Sequence, residues 1–229
     1  RSREKLSVLE RAGASITTID LFDVSAVERA IGGHDTIVNL ATHMPSSAFR
    51  MMLPWSWKEN DRIRREGSNL LVDTALRAGV TRFIQESFAP VYPDCGDRWI
   101  QEATPIQPAL YNRTVSDAER ATDRFTANGG IGIVLRFGSL YGPDALTQEL
   151  IGMVRKGWSP LPGSPAAYYS SVAQSDAASA VVATLGVPAG TYNVVDDEPL
   201  TRREFCDSIA SCLGVQPPRF LPAWLTSHM

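Results

Sequence analysis

The sequence predicts an α/β fold, a doubly wound parallel sheet with helices on both faces, and three observations carry that prediction. Short apolar and β-branched runs alternate with stretches of helical periodicity from one end of the chain to the other. Glycines stand where the helical stretches stop, at Gly13, Gly79 and the Gly129-Gly130 pair. No repeat or low-complexity linker interrupts the alternation.

Taken in order, residues Arg3 to Arg11 read as a helix, and Ser15 to Ile19 as a short β-branched strand leading into Asp20. Ser25-x-x-Glu28 matches a capping box, followed by Val24, Val27 and Ile31 at helical spacing. Thr36 to Leu40 read as the next strand. A long helix from about Trp57 to Ala78 feeds the strand Arg82 to Gln85, which makes a βαβ unit. After a proline-rich stretch, a helix from about Leu110 to Thr126 leads to the strand Ile131 to Arg136. Beyond Phe137 the elements shorten: Tyr168 to Val172, a helix Ser175 to Leu185, Gly190 to Val194, and a final helix. That helix opens with the capping box Thr201-x-x-Glu204 and turns Phe205, Ile209, Cys212 and Leu213 inward.

The chain has 229 residues, 44% of them hydrophobic and 21% charged, enough to bury one core with a small appendage. Its net charge of −3 argues against nucleic acid or an acidic membrane as partner, because no basic excess exists to neutralise phosphates. Arg62, Arg64 and Arg65 interleave with Glu59, Asp61 and Glu66 and read as a solvated helix face. Cys95, Cys206 and Cys212 lack CxxC spacing, so neither a disulfide framework nor a zinc site is expected, and a cytoplasmic setting fits. No apolar run reaches the roughly 20 residues that span a bilayer. Both ends read as cut: the first residue is Arg1, and an apolar segment from Pro222 stops at Met229.

Six segments, in order, resemble the extended short-chain dehydrogenase/reductase family of NAD-dependent epimerases and dehydratases, in an atypical form. They are Asp20-Leu21-x-Asp23, Gly33 to Ala41, Glu66 to Leu71, Gly79 to Ile84, Leu135 to Pro143 and Gly190 to Val194. The resemblance implies a Rossmann-type core over residues 1–143 and a mixed substrate-binding portion with returning core elements over 144–229. It implies NAD or NADP as cofactor. The family's opening strand, GxxGxxG turn and helix are not in this sequence. In the family's strand order that portion fills the middle of the sheet, so the resemblance predicts a gap of about 14 Å between Ser15–Ile19 and Thr36–Leu40. The expectation is therefore about thirty further upstream residues, and weak or no cofactor binding by the sequence as given.

The resemblance places Asp20 and Leu21 at the adenine, Leu40, Ala41 and Thr42 beside the cofactor, and Phe137, Gly138 and Leu140 at the nicotinamide. Asp20 has a plainer reading as the cap of its own turn. Arg1 and Ser2 fall where a basic residue meets the 2′-phosphate of NADP. The family's catalytic centre is Ser-Tyr-Lys, with the lysine lowering the tyrosine pKa. Tyr111 takes the tyrosine position, but Val115 stands where the lysine should be. A tyrosine without that cation is ionised only about one part in a thousand at neutral pH. Phe88 occupies the serine position and Ser87 lies one residue earlier, on the other face of a regular strand. Glu86 and His43 are polar candidates for a substrate cleft, and Trp55, Trp57 and Trp99 for its apolar wall.

Two functions fit these residues, and an enzyme that uses Glu86 or His43 in place of Tyr111 and the missing lysine lies between them. One is an epimerase/dehydratase-like oxidoreductase transferring hydride to a small molecule from an altered centre. The other is a catalytically inactive NAD(P)-binding regulatory or redox-sensing protein. The resemblance also implies pairing into a homodimer through the two long helices.

Overall fold

The computed structural model describes residues 3–45, 50 and 53–221, with the side chains of residues 3–5 excepted. Arg1, Ser2 and the segment from Pro222 onward lie outside the described residues, and the readings made for them end there.

Four parallel strands form the central sheet: β1 (Thr36–Asn39), β2 (Arg82–Phe88), β3 (Ile131–Phe137) and β7 (Gly190–Val194), in the order β1-β2-β3-β7. The register runs Ile37↔Phe83↔Gly132 and, further on, Ser87↔Arg136↔Asn193, so residues at the carboxyl ends of three strands stand in one row. Helices α1 (Arg3–Arg11) and α2 (Val24–Ile31) precede β1. The long helix predicted before β2 is a compound one: a 3-10 turn at Pro54–Trp57, α3 (Lys58–Arg62), a π-helical turn at Ile63–Gly67 and α4 (Ser68–Arg77). Helix α5 (Val115–Ala127) joins β2 to β3. Then follow β4 (Ser139–Tyr141), α6 (Ala145–Arg155), β5 (Tyr168–Tyr169), β6 (Ser171–Ala173) and α7 (Gln174–Ala183), and after β7 come β8 (Leu200–Thr201) and α8 (Arg202–Leu213).

Period-two alternation along the strands builds a core on each side of the sheet. Phe83 points to the face covered by α2, α4 and α5, where it packs with Val27, Ile31, Leu71, Val72, Ala75 and Phe125. Ile84, Ile133 and Leu135 point to the other face and meet Val172 and Ala177. The Phe83 and Phe125 rings lie 5.7 Å apart and tilted, a favourable aromatic geometry.

Several expectations are corrected. Residues 15–19 form no strand; among the described residues nothing lies beside them to complete a ladder, and β-branched composition makes no strand without a partner. β1 pairs only with β2, leaving its other edge open among the described residues. Asp23 caps α2, accepting from the Ala26 N–H at 3.1 Å, so the Ser25-Glu28 box is not the cap. Helix α5 starts at Val115 rather than near Leu110, because residues 109–114 close successive three-residue turns. The Asn112 amide donates to Pro90 O at 2.9 Å and the Thr114 hydroxyl to Asp61 at 2.7 Å, bonds that compete with an earlier helix start. The Thr201-Glu204 box forms as predicted, with Gly214 ending α8 at φ +66°. Its inner face is Phe205, Cys206 and Ala210, and Cys212 is exposed. No helix among the described residues is long and apolar enough to cross a membrane.

Candidate functional site

The carboxyl ends of β1 and β2 open onto a groove, the position where parallel α/β sheets place ligands. Asn39 turns the chain there: its amide donates to Gln85 Oε1 at 2.9 Å, and its Oδ1 accepts from the Ala41 N–H at 3.1 Å. Leu40 is therefore exposed, Ala41 half-buried and Thr42 exposed. Along the open edge of β1 runs a groove of about 400 Å³ lined by Leu21, Ile37, Val38, Asn39, Leu40, Ala41 and Leu71. It brings Leu21 to the same surface as Leu40 and Ala41, although nearly twenty residues separate them in sequence. Leu21 is held there by Gly67, where a Cβ atom would fall 2.7 Å from Leu21 Cδ2. Asp20 accepts from the Phe22 N–H at 3.0 Å, so one carboxylate oxygen closes its own turn.

The second group of cofactor candidates lies two strands away, roughly 10 Å across the sheet. Phe137 is buried. The Gly138 and Ser139 N–H groups donate to Val194 O and Ser170 O, both at 2.9 Å, and only the Leu140 side chain is exposed. The mainly apolar lining of the β1 groove and the small Ala41 side chain suit the adenosine end of a nicotinamide dinucleotide. No glycine-rich turn stands among the described residues to cradle its pyrophosphate. Another groove, of about 360 Å³, lies between α5 and β7 and is lined by none of the predicted residues.

The predicted catalytic residues do not converge. Ser87 is 1% exposed and faces α5, where its hydroxyl donates to Glu119 Oε1 at 2.6 Å. Glu119 is in turn clamped by Arg136, with Nε on Oε1 at 2.9 Å and Nη2 on Oε2 at 2.7 Å. Arg136 Nη1 also donates to Tyr92 Oη at 2.6 Å, and that hydroxyl donates to Asn193 Oδ1 at 2.8 Å. The hydrogen bonds from Arg136 to Glu119 push the guanidinium pKa upward against the opposing effect of burial. The ladder of β2 and β3 is regular through Ser87 and Phe88, so no bulge turns Ser87 into the cleft.

Tyr111 sits in the turn before α5, 40% exposed, with its ring 5.6 Å from that of Trp57 and tilted to it. Val115 is fully buried, and since residues 111–114 are not helical, the one-turn relation assumed between Tyr111 and Val115 does not hold. Partial burial raises the Tyr111 pKa, and the charge of Arg202 offsets only part of this. His43 is exposed; its backbone N–H donates to Asn60 Oδ1 at 3.0 Å. Trp57 is buried, whereas Trp55 and Trp99 are exposed.

Glu86 is the polar candidate that does enter a cluster. Burial raises its pKa, and the ion pair with Arg64, whose Nη2 lies 2.9 Å from Oε1, lowers it in part. Arg64 is only 4% exposed, which corrects its reading as part of a solvated face: the π-helical turn rotates it inward. Arg64 Nε, Asn60 Nδ2 and Asn112 Oδ1 are buried without a hydrogen-bond partner. Leaving such an atom unpaired costs about 1–3 kcal/mol.

Sequence reasoning missed Glu119, Arg136, Asn60 and Asn112. Arg136 carried a usable signal, a charge inside the apolar run Ile131 to Phe137, since charged side chains are seldom buried unless paired. Asn60 and Asn112 carried none.

Known proteins are similar to this chain in sequence or in fold. Residues 1–188 match the NAD(P)H-binding family. The chain is 32% identical over 187 residues to the 3-diazoavenalumate denitrifying reductase of a Streptomyces species; the match takes in 77% of this chain and spans 60% of the reductase's length. Its fold is similar to that of the dTDP-glucose 4,6-dehydratase DesIV of Streptomyces venezuelae, solved with NAD and TYD. The TM-score is 0.74 at 22% identity, over 89% of this chain and 65% of that one. It is similar as well to the UDP-glucose 4-epimerase of Thermus thermophilus in complex with NAD, with a TM-score of 0.71 at 22% identity, over 90% and 70% of the two chains. With a Rossmann-type parallel sheet and a family match over residues 1–188, this chain belongs to the NAD(P)H-binding family.

Proposed function

We propose that this chain carries the cofactor-binding side of an NAD(P)H-dependent reductase that delivers hydride to a small electrophilic organic substrate without a Ser-Tyr-Lys proton relay. The observation that carries this reading is the groove on which Leu21, Leu40 and Ala41 meet. Bound NAD(P)H supplies the hydride. Leu21, Leu40, Ala41 and Thr42 seat it from the β1 side, with Asp20 offering its remaining carboxylate capacity to the adenine and Phe137, Gly138 and Leu140 flanking the nicotinamide.

Reduction suits these residues better than epimerisation or dehydration. Those reactions require a base to take a proton from the substrate, and Ser87 is occupied by Glu119 while Tyr111 has its pKa raised. Hydride addition to a carbon or nitrogen already electron-poor needs no such base. The related Streptomyces protein is named a 3-diazoavenalumate denitrifying reductase. In this reading Tyr111, Trp57 and His43 shape the substrate side of the cleft, residues 1–143 form the cofactor core and residues 144–229 contribute the substrate portion with β7 returning to the sheet. The protein works in the cytoplasm.

Two copies pair through α4 and α5 in the same reading. The π-helical turn, α4 and α5 carry Arg65–Asp117 and Arg124–Asp73 ion pairs within one chain, which a partner must leave hydrated at the rim.

The experiment is a turnover assay with the full-length protein, NADH or NADPH and aryl diazonium carboxylates, following nicotinamide absorbance. Cofactor oxidation that depends on the acceptor supports the reading. Saturable cofactor binding with no oxidation against any acceptor favours the regulatory protein instead.

A further inference from the structure

Two arginines stand side by side at the start of α8, and only one of them has a partner. Arg203 lies 4.0 Å from Asp207 and stacks over the Phe220 ring at 4.8 Å. The Arg202 side chain makes no ion pair or hydrogen bond with any described residue, and it is half-buried, so solvent reaches it. The carboxylate nearest in sequence, Glu204, is engaged in the helix cap: its Oε2 accepts from the Thr201 N–H at 2.8 Å and from the Thr201 hydroxyl at 2.7 Å. A cation in the first turn of a helix also opposes the helix dipole. Arg202 is thus a charge that the fold leaves unneutralised.

Backbone contacts fix its place. β5 and β8 pair antiparallel, with Tyr169 opposite Leu200 and Tyr168 opposite Thr201, and the Arg202 N–H then donates to Ala167 O at 2.9 Å. The Arg203 N–H donates to Pro165 O at 3.0 Å. Arg202 Nη1 lies against Gly163, where a Cβ atom would fall 2.2 Å from it. The Tyr169 ring packs on Phe205 of the same helix, with centroids 4.9 Å apart. Arg202 also reaches two tyrosine hydroxyls: burial raises the pKa of Tyr111 and of Tyr169, and the charge of Arg202 offsets part of each rise. Ser139, the neighbour of Leu140, hydrogen-bonds to Tyr169 as well. The unpaired guanidinium therefore stands beside the tyrosine of the candidate cleft and beside the segment that flanks the nicotinamide.

We propose that Arg202 is the residue that recognises the substrate, binding the carboxylate of a small organic acid whose apolar body lies on the exposed side of Tyr111. This deepens the reductase reading by naming its substrate class, and rests on it.

Chemistry selects that group. The planar fork of a guanidinium matches the two oxygens of a carboxylate, and such charge-assisted bonds are short and strong. One guanidinium balances one negative charge. The backbone at the start of α8 does not compete for the anion, because the N–H groups of residues 201–204 are all bonded within the protein. Tyr111, 40% exposed and backed by buried Trp57, offers the apolar body a ring to lie on.

The test titrates cinnamate calorimetrically into the full-length protein, with and without NADPH, beside methyl cinnamate and phenyl phosphate. The proposal expects saturable cinnamate binding, ester binding at least about tenfold weaker, and phenyl phosphate bound no more tightly than cinnamate. Arg202→Gln is expected to weaken cinnamate about tenfold or more while binding of the ester stays unchanged. Its thermal midpoint is expected to stay level or rise, since the cation removed opposed the helix dipole. Arg202→Lys keeps the charge without the fork and is expected to fall between the two. Equal binding of acid and ester by the unmodified protein, or no cinnamate binding, overturns the proposal whatever the variants do. Unaltered cinnamate affinity in Arg202→Gln overturns it too, and leaves Arg202 a solvated surface charge. A lowered midpoint with equal losses for acid and ester assigns Arg202 to holding the Gly163 turn and also overturns it. Tighter binding of phenyl phosphate overturns the choice of a carboxylate. Failure of NADPH to bind, with cinnamate binding still dependent on Arg202, supports the anion site and overturns the reductase reading beneath it.

Discussion

The Ser87 hydroxyl lies 2.6 Å from Glu119 Oε1, inside the protein and on the face of the sheet that α5 covers. This one contact turns the nearest serine to the family's catalytic position into a structural residue. The register Ser87↔Arg136↔Asn193 makes it part of a polar row that fastens β2, β3 and β7 beneath α5.

Ser87→Ala should consequently cost stability and not chemistry. Glu119 keeps both Arg136 contacts, so the loss is about 1 kcal/mol, the net value of a typical hydrogen bond. Denaturant unfolding beside steady-state kinetics checks this. A drop in turnover of about a hundredfold or more at unchanged stability restores Ser87 to catalysis.

Arg136→Met is expected to be far more damaging, because it strands the Glu119 carboxylate in the interior. Both side chains of the pair are at most 10% exposed, and breaking a buried pair from one side costs about 3–5 kcal/mol. Thermal unfolding should show a large fall, partly recovered by adding Glu119→Gln, which removes the stranded charge.

Tyr111→Phe should leave turnover within about threefold of the unmodified protein, against the roughly hundredfold or greater loss expected on removing a general acid or base. The raised Tyr111 pKa means its hydroxyl stays protonated through neutral pH, so the rate should show no rise between about pH 7 and 9 that the variant lacks. A rise abolished by the substitution contradicts this account.

Glu86 gives a pH signature with a defined sign. Its folded-state pKa lies above the ordinary value of 4.5, so the folded protein binds a proton more tightly than the unfolded chain. Its contribution to stability is fullest below the unfolded pKa and declines as pH rises through the folded pKa. Thermal midpoints measured across that range should show Glu86→Gln becoming stable relative to the unmodified protein as pH rises. A gap that moves the opposite way contradicts burial as the dominant influence on Glu86.

Much of the fold was legible in the sequence because parallel-sheet proteins write their helices and strands as separate periodicities. β7 and the Thr201-Glu204 cap lie where the pattern placed them. What failed depended on partners. Residues 15–19 have strand composition but no neighbouring strand among the described residues, and the start of α5 is decided by Asn112 and Thr114 bonding to distant groups. Of the predicted site residues, Leu40, Ala41 and Thr42 lie together because they are neighbours in the chain just past β1. The inward turn of Arg64 depends on a π-helical turn that no residue in Ile63–Gly67 announces. Glu119 lies on the buried stripe of α5 beside Ala118 and Thr122, where pattern alone does not say which strand residue meets it.

The central claim, that Leu40, Ala41 and Thr42 at the carboxyl end of β1 flank a nicotinamide dinucleotide, is tested most directly by titrating NADPH into the full-length protein and following nicotinamide fluorescence. The account predicts a saturable change that Ala41→Trp, placed in the groove wall, weakens by about tenfold or more without altering the thermal midpoint. No change up to about 1 mM NADPH or NADH, or equal affinity in folded Ala41→Trp, contradicts it.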